Sequence, residues 1–349
     1  MKIKLAVIGV GNACAALIQG IEFYKNKDHG IGLLHPNLAG YHISSIEVVA
    51  AIDISGNKVG KDLAEAIKAT DVEPLVEVPD FGFKVAMGDP LDGVIPETEE
   101  LITPADVPPV DLPELLGESG AEIALCLLPS GADEAVRHYA ELCAKARCAF
   151  INATPTMIAN DPKFQDLYIQ AGVPLIGDDL QDQIGATILH KLILTQMKER
   201  GVDIKESYAL DVGGGPESLN TIHRTRQIKR DIKSESVASS LNIQAPIVAG
   251  TSDYVPHLGN KRNTMIWIVG KTFLGKEVVI DMKIQTEDGA NGGSIICDII
   301  RATKVALNQG DKGAIDEISS YGFKKPPKGS KFPKEAEQLL ANYILGIRR

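Results

Sequence analysis

The first twenty residues constrain the fold of this chain more than any other stretch. Leu5–Ile8 is an unbroken apolar run, as expected of a strand that is buried on both faces of a sheet. Two glycines follow directly, and residues 13–21 are mostly helix formers with apolar spacing. A strand, a glycine turn and a helix in this order can bind a pyrophosphate, because the turn allows close approach and the helix offers free N–H groups. The predicted dinucleotide site comprises Gly9, Val10, Gly11, Asn12 and Ala13, with an ordinary glycine loop as the alternative.

Length and composition limit the classes of protein to consider. A chain of 349 residues favours about two domains, and a net charge of −10 argues against a nucleic-acid partner. The five cysteines are odd in number and lack CxxC spacing, which favours reduced, buried thiols over disulfides or a zinc site. No signal peptide precedes the first strand, and no apolar run reaches the roughly 18 residues of a membrane span. We therefore expect a cytoplasmic protein without a membrane partner.

A second predicted strand, residues 46–53, ends in an acid, Asp53. In dinucleotide-binding folds, an acid at this place accepts hydrogen bonds from the ribose hydroxyls and lies about 20 residues after the glycine turn. Here the spacing is about twice as long, and a polar insertion over residues 22–41 accounts for the excess. The alternative role of Asp53 is the N-cap of a helix predicted over residues 58–69. An acid at this position favours NAD over NADP.

Strands and helices alternate regularly after residue 120. The predicted strands are residues 122–128, 148–153 and 173–178, with helices at 132–146 and 161–171 between them. This pattern predicts an α/β fold with a doubly wound, Rossmann-type parallel sheet. Ligands bind at the carboxyl ends of such strands. The expected further cofactor contacts are Ser130, Asn152, Ala153 and Asp178, together with Thr187 in the next predicted helix.

The pattern changes after residue 200. A strand over residues 207–212 is followed later by strands 264–269 and 278–284, whose short connection predicts a β-hairpin. We therefore expect an inserted α+β domain with an antiparallel sheet. The predicted domain boundaries are 1–200 for the Rossmann domain, 201–293 for the inserted domain and 294–349 for a helical segment that returns to the first.

Residues 220–233 form a basic segment in an otherwise acidic chain. Lys229 and Lys233 are four residues apart, so a helix places both ammonium groups on one face. Such a pair can hold a phosphate, and a lysine with a lowered pKa can also transfer protons. A solvated basic face is the alternative, and composition alone leaves both open.

Five segments resemble the myo-inositol-1-phosphate synthase family in its shorter bacterial and archaeal form. In the family's order they are residues 10–25, 177–190, 212–220, 286–291 and 294–302. The similarity extends from about residue 4 to residue 328. The resemblance implies that the inserted domain carries catalysis and oligomerisation, and that the protein is a homotetramer. The family often responds to a divalent cation, but this sequence has no His/Cys cluster with ligand spacing, so we name no metal ligands.

The resemblance implies a redox-neutral cyclisation. NAD takes a hydride from C5 of glucose 6-phosphate, the 5-keto sugar enolises at C6, C6 attacks the C1 aldehyde, and NADH returns the hydride. The product is 1D-myo-inositol 3-phosphate, which serves inositol and phospholipid biosynthesis. Cations must hold the phosphate and stabilise the enolate and the developing alkoxides.

The resemblance also assigns roles to two lysines and two acids. By position, Lys229 and Lys233 match the family's lysine pair, which binds phosphate, transfers protons and stabilises oxyanions. Asp179 matches an acid close to the nicotinamide, with a helix N-cap as its alternative role. Asp288 matches another active-site acid, with a turn residue as the alternative.

Other positions match the family less closely. Asn220 matches a substrate-side asparagine, and Gly214 lies in the same matching segment, so we expect both on the substrate side. Lys312 matches the family's last basic residue only loosely. Arg262 stands where the family has a lysine, and arginine does not give up its proton near neutral pH. If that lysine shuttles a proton, the neighbouring Lys261 or a water must replace it.

Three functions are therefore open at this point. The first is inositol phosphate synthesis, the second is an NAD-dependent dehydrogenase of a phosphorylated sugar that releases NADH, and the third is a non-catalytic NAD-binding protein. The presence of both Lys229 and Lys233 argues against the third.

Overall fold

The computed structural model describes residues 2–27, 30–241 and 245–347. The strands, in chain order, are β1 (Ile3–Ile8), β2 (Asn37–Leu38), β3 (Tyr41–His42), β4 (Ile46–Asp53), β5 (Ala86–Met87), β6 (Ile123–Cys126), β7 (Ala149–Asn152), β8 (Pro174–Ile176), β9 (Asp203–Gly213), β10 (Ile247–Tyr254), β11 (Lys261–Lys271), β12 (Glu277–Glu287) and β13 (Gly313–Ala314). The α-helices are α1 (Asn12–Tyr24), α2 (Leu63–Ala66), α3 (Leu112–Ser119), α4 (Asp133–Lys145), α5 (Pro162–Ala171), α6 (Ala186–Glu199), α7 (Pro216–Asn220), α8 (Arg226–Leu241), α9 (Asp288–Gln309), α10 (Asp316–Gly322) and α11 (Pro333–Ile344). A π-helical turn, Thr221–Thr225, joins α7 to α8.

A seven-stranded parallel sheet with the order β13-β8-β7-β6-β1-β4-β5 forms the first part of the fold. Its inner strands are largely apolar, and β6 and β7 are buried along their whole length. The chain leaves β1 toward β4 on one side and later returns to β6 on the other side. This reversal of strand order creates a crevice at the carboxyl end of β1, where ligands of such sheets bind. The predicted Rossmann-type fold is confirmed.

A smaller four-stranded sheet has the order β10-β9-β11-β12. The predicted hairpin is confirmed, because β11 and β12 pair antiparallel from Lys261–Glu287 to Lys271–Glu277. The expectation of a wholly antiparallel sheet is wrong, because β10 runs parallel to β9. The cause is the connection: β9 reaches β10 through α7 and α8, and such a helical crossover brings the chain back in the same direction.

The two sheets are joined closely at one end of α9. Strand β12 ends at Glu287, and α9 begins at the next residue, so the proposed boundary at residue 293 lies inside a helix. A Cβ atom at Gly289 would lie 2.8 Å from the backbone oxygen of Asn12, the first residue of α1. The start of α9 therefore lies directly against the glycine turn after β1.

Two local predictions differ from the structure. Residues 58–69 form only the single turn α2 with a 3₁₀ extension, and Asp62 caps it by accepting a hydrogen bond from the Ala64 N–H at 2.8 Å. In the insertion, α1 continues to Tyr24 and the short strands β2 and β3 form a small hairpin, while residues 28 and 29 lie outside the described residues.

A buried arginine fastens the insertion to α9. Arg301 is fully buried, forms an ion pair with Asp298, and donates hydrogen bonds to the carbonyl oxygens of His35, Pro36 and Tyr41. These carbonyls belong to a loop without a long strand or helix of its own, so the guanidinium satisfies groups that would otherwise be buried unpaired.

We expect Arg301→Met to lower the free energy of unfolding by about 3–5 kcal/mol, because it removes the fully buried counterion of Asp298, which keeps only the partly exposed His35 as a cationic partner among the described residues, and leaves three carbonyl oxygens without their donor. Denaturant unfolding followed by circular dichroism measures this change. Arg137→Met is the control: it breaks a partly exposed ion pair with Asp161 and should cost less than about 1 kcal/mol. Equal costs for the two variants would contradict the clamping role of Arg301.

Candidate active site

Four buried or largely buried cations lie near the junction of the two sheets, and each has its own carboxylate. The pairs are Lys229–Glu217 (2.6 Å), Lys233–Asp211 (2.5 Å), Arg262–Asp288 (2.6 Å) and Lys324–Asp179 (3.1 Å). The pairs form one electrostatic unit, since the charges of Lys229 and Lys233 also lower the pKa of Asp179. Burial favours the neutral form of every one of these groups, so each charge depends on its partner.

Helix α8 places the two predicted lysines as expected. Lys229 and Lys233 lie on one face, with side chains that are 11% and 4% exposed. Arg226 and Arg230, on the same helix, are both exposed. The solvated basic face is therefore the wrong interpretation for the two lysines, and it describes only the arginines.

The two lysines differ in their electrostatic environment. Burial opposes the charge of Lys229, but Glu217 and Asp179 outweigh it and raise the pKa of Lys229 above its ordinary value. Burial prevails at Lys233 and lowers its pKa, although Asp211 acts in the opposite direction. Lys229 is therefore suited to hold an anion, and Lys233 is the lysine that releases a proton more readily.

Strand alternation separates Arg262 from Lys261. Arg262 points into the site, where its Nη2 donates to Asp288 Oδ2 at 2.6 Å, whereas Lys261 is exposed. The expectation that Lys261 replaces the family's lysine is therefore wrong, because its side chain is exposed. Burial raises the pKa of Asp288 to about 6, and Asp182 adds to this effect while Arg262 opposes it. Asp288 is the first residue of α9 and not a turn residue.

The fourth pair contains a residue that sequence reasoning missed. Lys324 Nζ donates to Asp179 Oδ1 and to the Leu180 carbonyl oxygen. Burial raises the pKa of Asp179, but the charge of Lys324 and the other lysines lowers it below its ordinary value. Asp179 does not cap α6, which begins after Gly185. The Asp179 backbone has a left-handed φ of 58° and follows a cis Gly177–Asp178 peptide bond.

The expectation that Lys312 is the last basic residue of the site is also wrong. Lys312 is exposed and follows the C-terminal end of α9, whose first residue is Asp288. A helix of 22 residues is about 33 Å long, so Lys312 lies far from the ion pairs. Lys324, twelve residues later in the chain, is the cation that reaches the site.

The glycine turn has the shape that was predicted for it. Gly9 has a φ of 98°, and a Cβ there would lie 2.8 Å from the Leu127 carbonyl oxygen, so only glycine fits. Gly11 faces open space, since a Cβ placed on it would meet no atom of the described residues within 4 Å. Asp53 lies beside this turn, where its Oδ2 accepts a hydrogen bond from the Val10 N–H at 2.7 Å. Because Asp62 caps α2, the N-cap alternative for Asp53 is wrong.

Comparisons with known proteins agree on one family. The family model for myo-inositol-1-phosphate synthase matches residues 185–289. An inositol-3-phosphate synthase of Corynebacterium glutamicum is 36% identical, with 93% of this chain and 94% of the relative covered. One from Mycolicibacterium smegmatis is 34% identical, with 94% of each chain covered. This chain belongs to the inositol-3-phosphate synthase family. A myo-inositol-1-phosphate synthase-related protein from Thermotoga maritima shares the fold, with a TM-score of 0.83, 20% identity and 99% and 98% coverage of the two chains.

Within this family member, several predicted cofactor contacts have other partners. Asp178 is fully buried and accepts hydrogen bonds from Asn152 and from the backbone N–H groups of residues 158–160. Asn152 also binds Thr154, and the Ser130 N–H and hydroxyl both donate to Glu217. We therefore no longer assign these three side chains to the cofactor. Their polar groups already make hydrogen bonds within the described part of the chain, and these bonds hold neighbouring loops in place.

The remaining cofactor candidates lie in the first turns of α1 and α6 and directly after β7. Asn12 and Ala13 form the first turn of α1, and the Asn12 side chain accepts from the Asp71 N–H at 3.1 Å. Ala153 is half-buried and bonds through its backbone to Cys126 and Leu180. Thr187 is buried in the first turn of α6.

The two expected substrate-side residues are both buried. Asn220 is 1% exposed and donates to the Pro216 carbonyl oxygen at 3.0 Å, while its Oδ1 has no partner among the described residues. The substrate-side role expected for Gly214 is corrected, because a Cβ at this position would collide with the backbone of Gly259. Close packing of two loops explains this glycine without a substrate contact.

No group of three or more His, Cys, Asp or Glu side chains among the described residues could hold a metal ion, and none of the described helices combines the length and apolarity needed to cross a membrane. All five cysteines are free and buried, as predicted.

A second buried lysine was missed by the sequence analysis. Lys191, on α6, is 1% exposed and donates to Ser330 Oγ at 2.8 Å and to Gln181 Oε1 at 3.3 Å. Neither partner carries a charge. Burial lowers the pKa of Lys191 to about 7, and the nearby charge of Lys324 adds to the effect. A helical apolar pattern gives no sign that a lysine within it will face inward.

We expect Lys191 to make stability rise with pH between about 7 and 10. In this range the unfolded chain binds a proton at Lys191 that the folded chain does not, and stability then increases with pH. Lys191→Met should remove this slope and raise stability at pH 7 by a few kcal/mol. Denaturant unfolding at several pH values measures the effect, with Lys145→Met, at the last position of α4, as the control. Parallel pH profiles for the native protein and Lys191→Met would contradict the prediction.

Proposed function

We propose that this chain catalyses the NAD-dependent, redox-neutral cyclisation of D-glucose 6-phosphate to 1D-myo-inositol 3-phosphate. The observation that carries the proposal is the set of four cations beside the glycine turn. The names of the relatives support the same reaction. A phosphorylated substrate that becomes an enolate needs fixed positive charge in a site from which water is largely excluded.

The residues around the glycine turn fit NAD. The space over Gly11 and the free N–H groups at the start of α1 match a pyrophosphate. Asp53 accepts hydrogen bonds from the N–H groups of Val10, Ile54 and Ser55, and a carboxylate has about four acceptor sites, so one is left for an adenosine ribose hydroxyl. NAD held there would supply the hydride acceptor for the sugar and, once reduced, the donor that returns the hydride. The close contact between Gly289 and Asn12 supports the placement of the ion pairs within reach of this cofactor.

The four cations have different roles in binding the substrate and in transferring protons. Lys229 keeps its charge and holds the phosphate or an oxyanion. Lys233 loses its proton more readily and exchanges protons at the C5 oxygen and at C6. Arg262 stays charged, because Asp288 and Asp211 raise its pKa further despite burial, so it binds an anion and does not shuttle protons. Lys324 stabilises Asp179 as a carboxylate.

The test is purified protein with glucose 6-phosphate and NAD, with inositol phosphate followed by phosphorus NMR and NADH by absorbance. We expect inositol phosphate without net NADH. Lys229→Ala and Lys233→Ala should each lower kcat/KM by at least about 1,000-fold, because each removes a charge that the transition state needs. Arg226→Ala, an exposed position on the same helix, should retain native activity within about threefold.

Other outcomes would point elsewhere. Accumulation of NADH with a keto or acid product would show a phosphosugar dehydrogenase. No turnover with NAD bound would direct the search to other phosphosugars, and would make Arg262 the first residue to replace with lysine. A homotetramer, a cytoplasmic location and a response to a divalent cation complete the proposal, and mass measurement and metal titration test the first and last.

A further inference from the structure

Asp211 is held from both sides in the middle of the smaller sheet. It is 1% exposed and pairs with Thr251 on β10 and with Thr264 on β11. Thr264 Oγ1 donates to Asp211 Oδ1 at 2.6 Å, and Ser252 Oγ donates to the Asp211 backbone oxygen at 3.0 Å. The carboxylate cannot turn without breaking a buried hydrogen bond, which makes it a fixed reference point.

The other oxygen of this carboxylate meets two cations from different elements. Asp211 Oδ2 accepts a hydrogen bond from Lys233 Nζ on α8 at 2.5 Å and lies 4.0 Å from Arg262 Nη1 on β11. Among the ion pairs of the described site, Asp211 is the acid within 4.0 Å of two cations. Two buried cations repel each other, and an acid between them offsets that repulsion.

We propose that Asp211 is a positioning residue, which holds the Lys233 ammonium in line with the Arg262 guanidinium and so keeps both aimed at one substrate. The proposal rests on the proposed function for the identity of the substrate. Asp211 acts through Lys233 and Arg262 and does not itself touch the reacting atoms.

The groups around Lys233 explain why this acid matters. Lys229 on the same helix, Arg262 on β11 and Lys324 after α10 all disfavour its charge, as burial does. Asp211 opposes them, and the charge of Lys233 also acts on two further acids, Asp179 and Asp288. Replacing Asp211 by asparagine preserves the shape of the side chain but leaves Lys233 facing three cations. The pKa of Lys233 must then fall further.

The experiment compares the native protein, Asp211→Asn and Asp161→Asn. Asp161→Asn breaks the partly exposed pair with Arg137 (2.9 Å) and is the control for the same chemical change elsewhere. Reductive methylation with formaldehyde, quantified by peptide mass spectrometry from pH 5.5 to 10, gives the pH of half-maximal modification of Lys233. The profile of kcat/KM against pH for glucose 6-phosphate is measured in parallel.

In Asp211→Asn we expect the midpoint of Lys233 modification to fall by at least one pH unit, a tenfold change in its proton affinity. The kcat/KM profile should move to lower pH by the same amount, while Asp161→Asn keeps the native values. An unchanged Lys233 midpoint in folded Asp211→Asn overturns the proposal. So does a kcat/KM profile that is lowered uniformly without a shift, since that is the mark of a merely structural residue.

Two further outcomes remain decisive. If the native protein does not convert glucose 6-phosphate but the midpoint still moves, the cyclisation fails and the hold of Asp211 on Lys233 stands. If Asp211→Asn does not fold, the native protein alone decides, because Lys191 and Lys233 are similarly buried, at 1% and 3% exposure. Of these two, Lys233 has the carboxylate partner, so its midpoint must lie at least one pH unit above that of Lys191. Equal midpoints overturn the proposal.

Discussion

Pairing of every site cation with a carboxylate is the constraint on which the rest of this structure depends. Removing an ammonium or guanidinium from water costs several kcal/mol, and only a partner in good geometry offsets that cost. The pairs draw on α7, α8, α9, β9, β11 and the segment after α10, so the site also ties these elements together. An anionic substrate competes with the same carboxylates for the cations, which favours recognition of a dianion over that of a neutral sugar.

Close backbone packing brings this charged site to the glycine turn. Gly289 allows α9 to start directly against Asn12, and Gly214 allows the loop after β9 to pack on Gly259. A side chain at Gly289 would push the start of α9 away from α1, and a side chain at Gly214 would push apart two loops of the smaller sheet. Glu217 strengthens the same junction, because it accepts hydrogen bonds from Ser130, in the turn after β6, and from Lys229 on α8.

Features that depend on neighbours in the sequence could be predicted, and features that depend on distant ones could not. The strand, glycine turn and helix at the N-terminus follow from local patterns, as does the shared face of Lys229 and Lys233 on α8. Lys324 reaches Asp179 across 145 residues of chain, and no local pattern announces that contact. The parallel pairing of β9 and β10 was not predicted for the same reason, because the direction of β10 is decided by the helical crossover that precedes it.

The errors among polar residues have a different physical cause. Asp178 and Asn152 do lie at strand ends, as expected, but short polar side chains also satisfy the backbone of their own loops. Position along a strand does not reveal which of these uses prevails. Lys191 shows the converse case, a long side chain whose stem packs like an apolar residue while its ammonium finds two neutral acceptors.

The uninterrupted passage from β12 into α9 has a mechanical consequence. Glu287 is followed directly by the first residue of the helix, so no flexible loop separates the hairpin from α9, and the Arg262–Asp288 pair lies where the two elements meet. The same helix carries Arg301, which donates hydrogen bonds to the insertion. The loop that lengthens the distance between the glycine turn and Asp53 is therefore held by the same helix that begins at the Arg262–Asp288 pair.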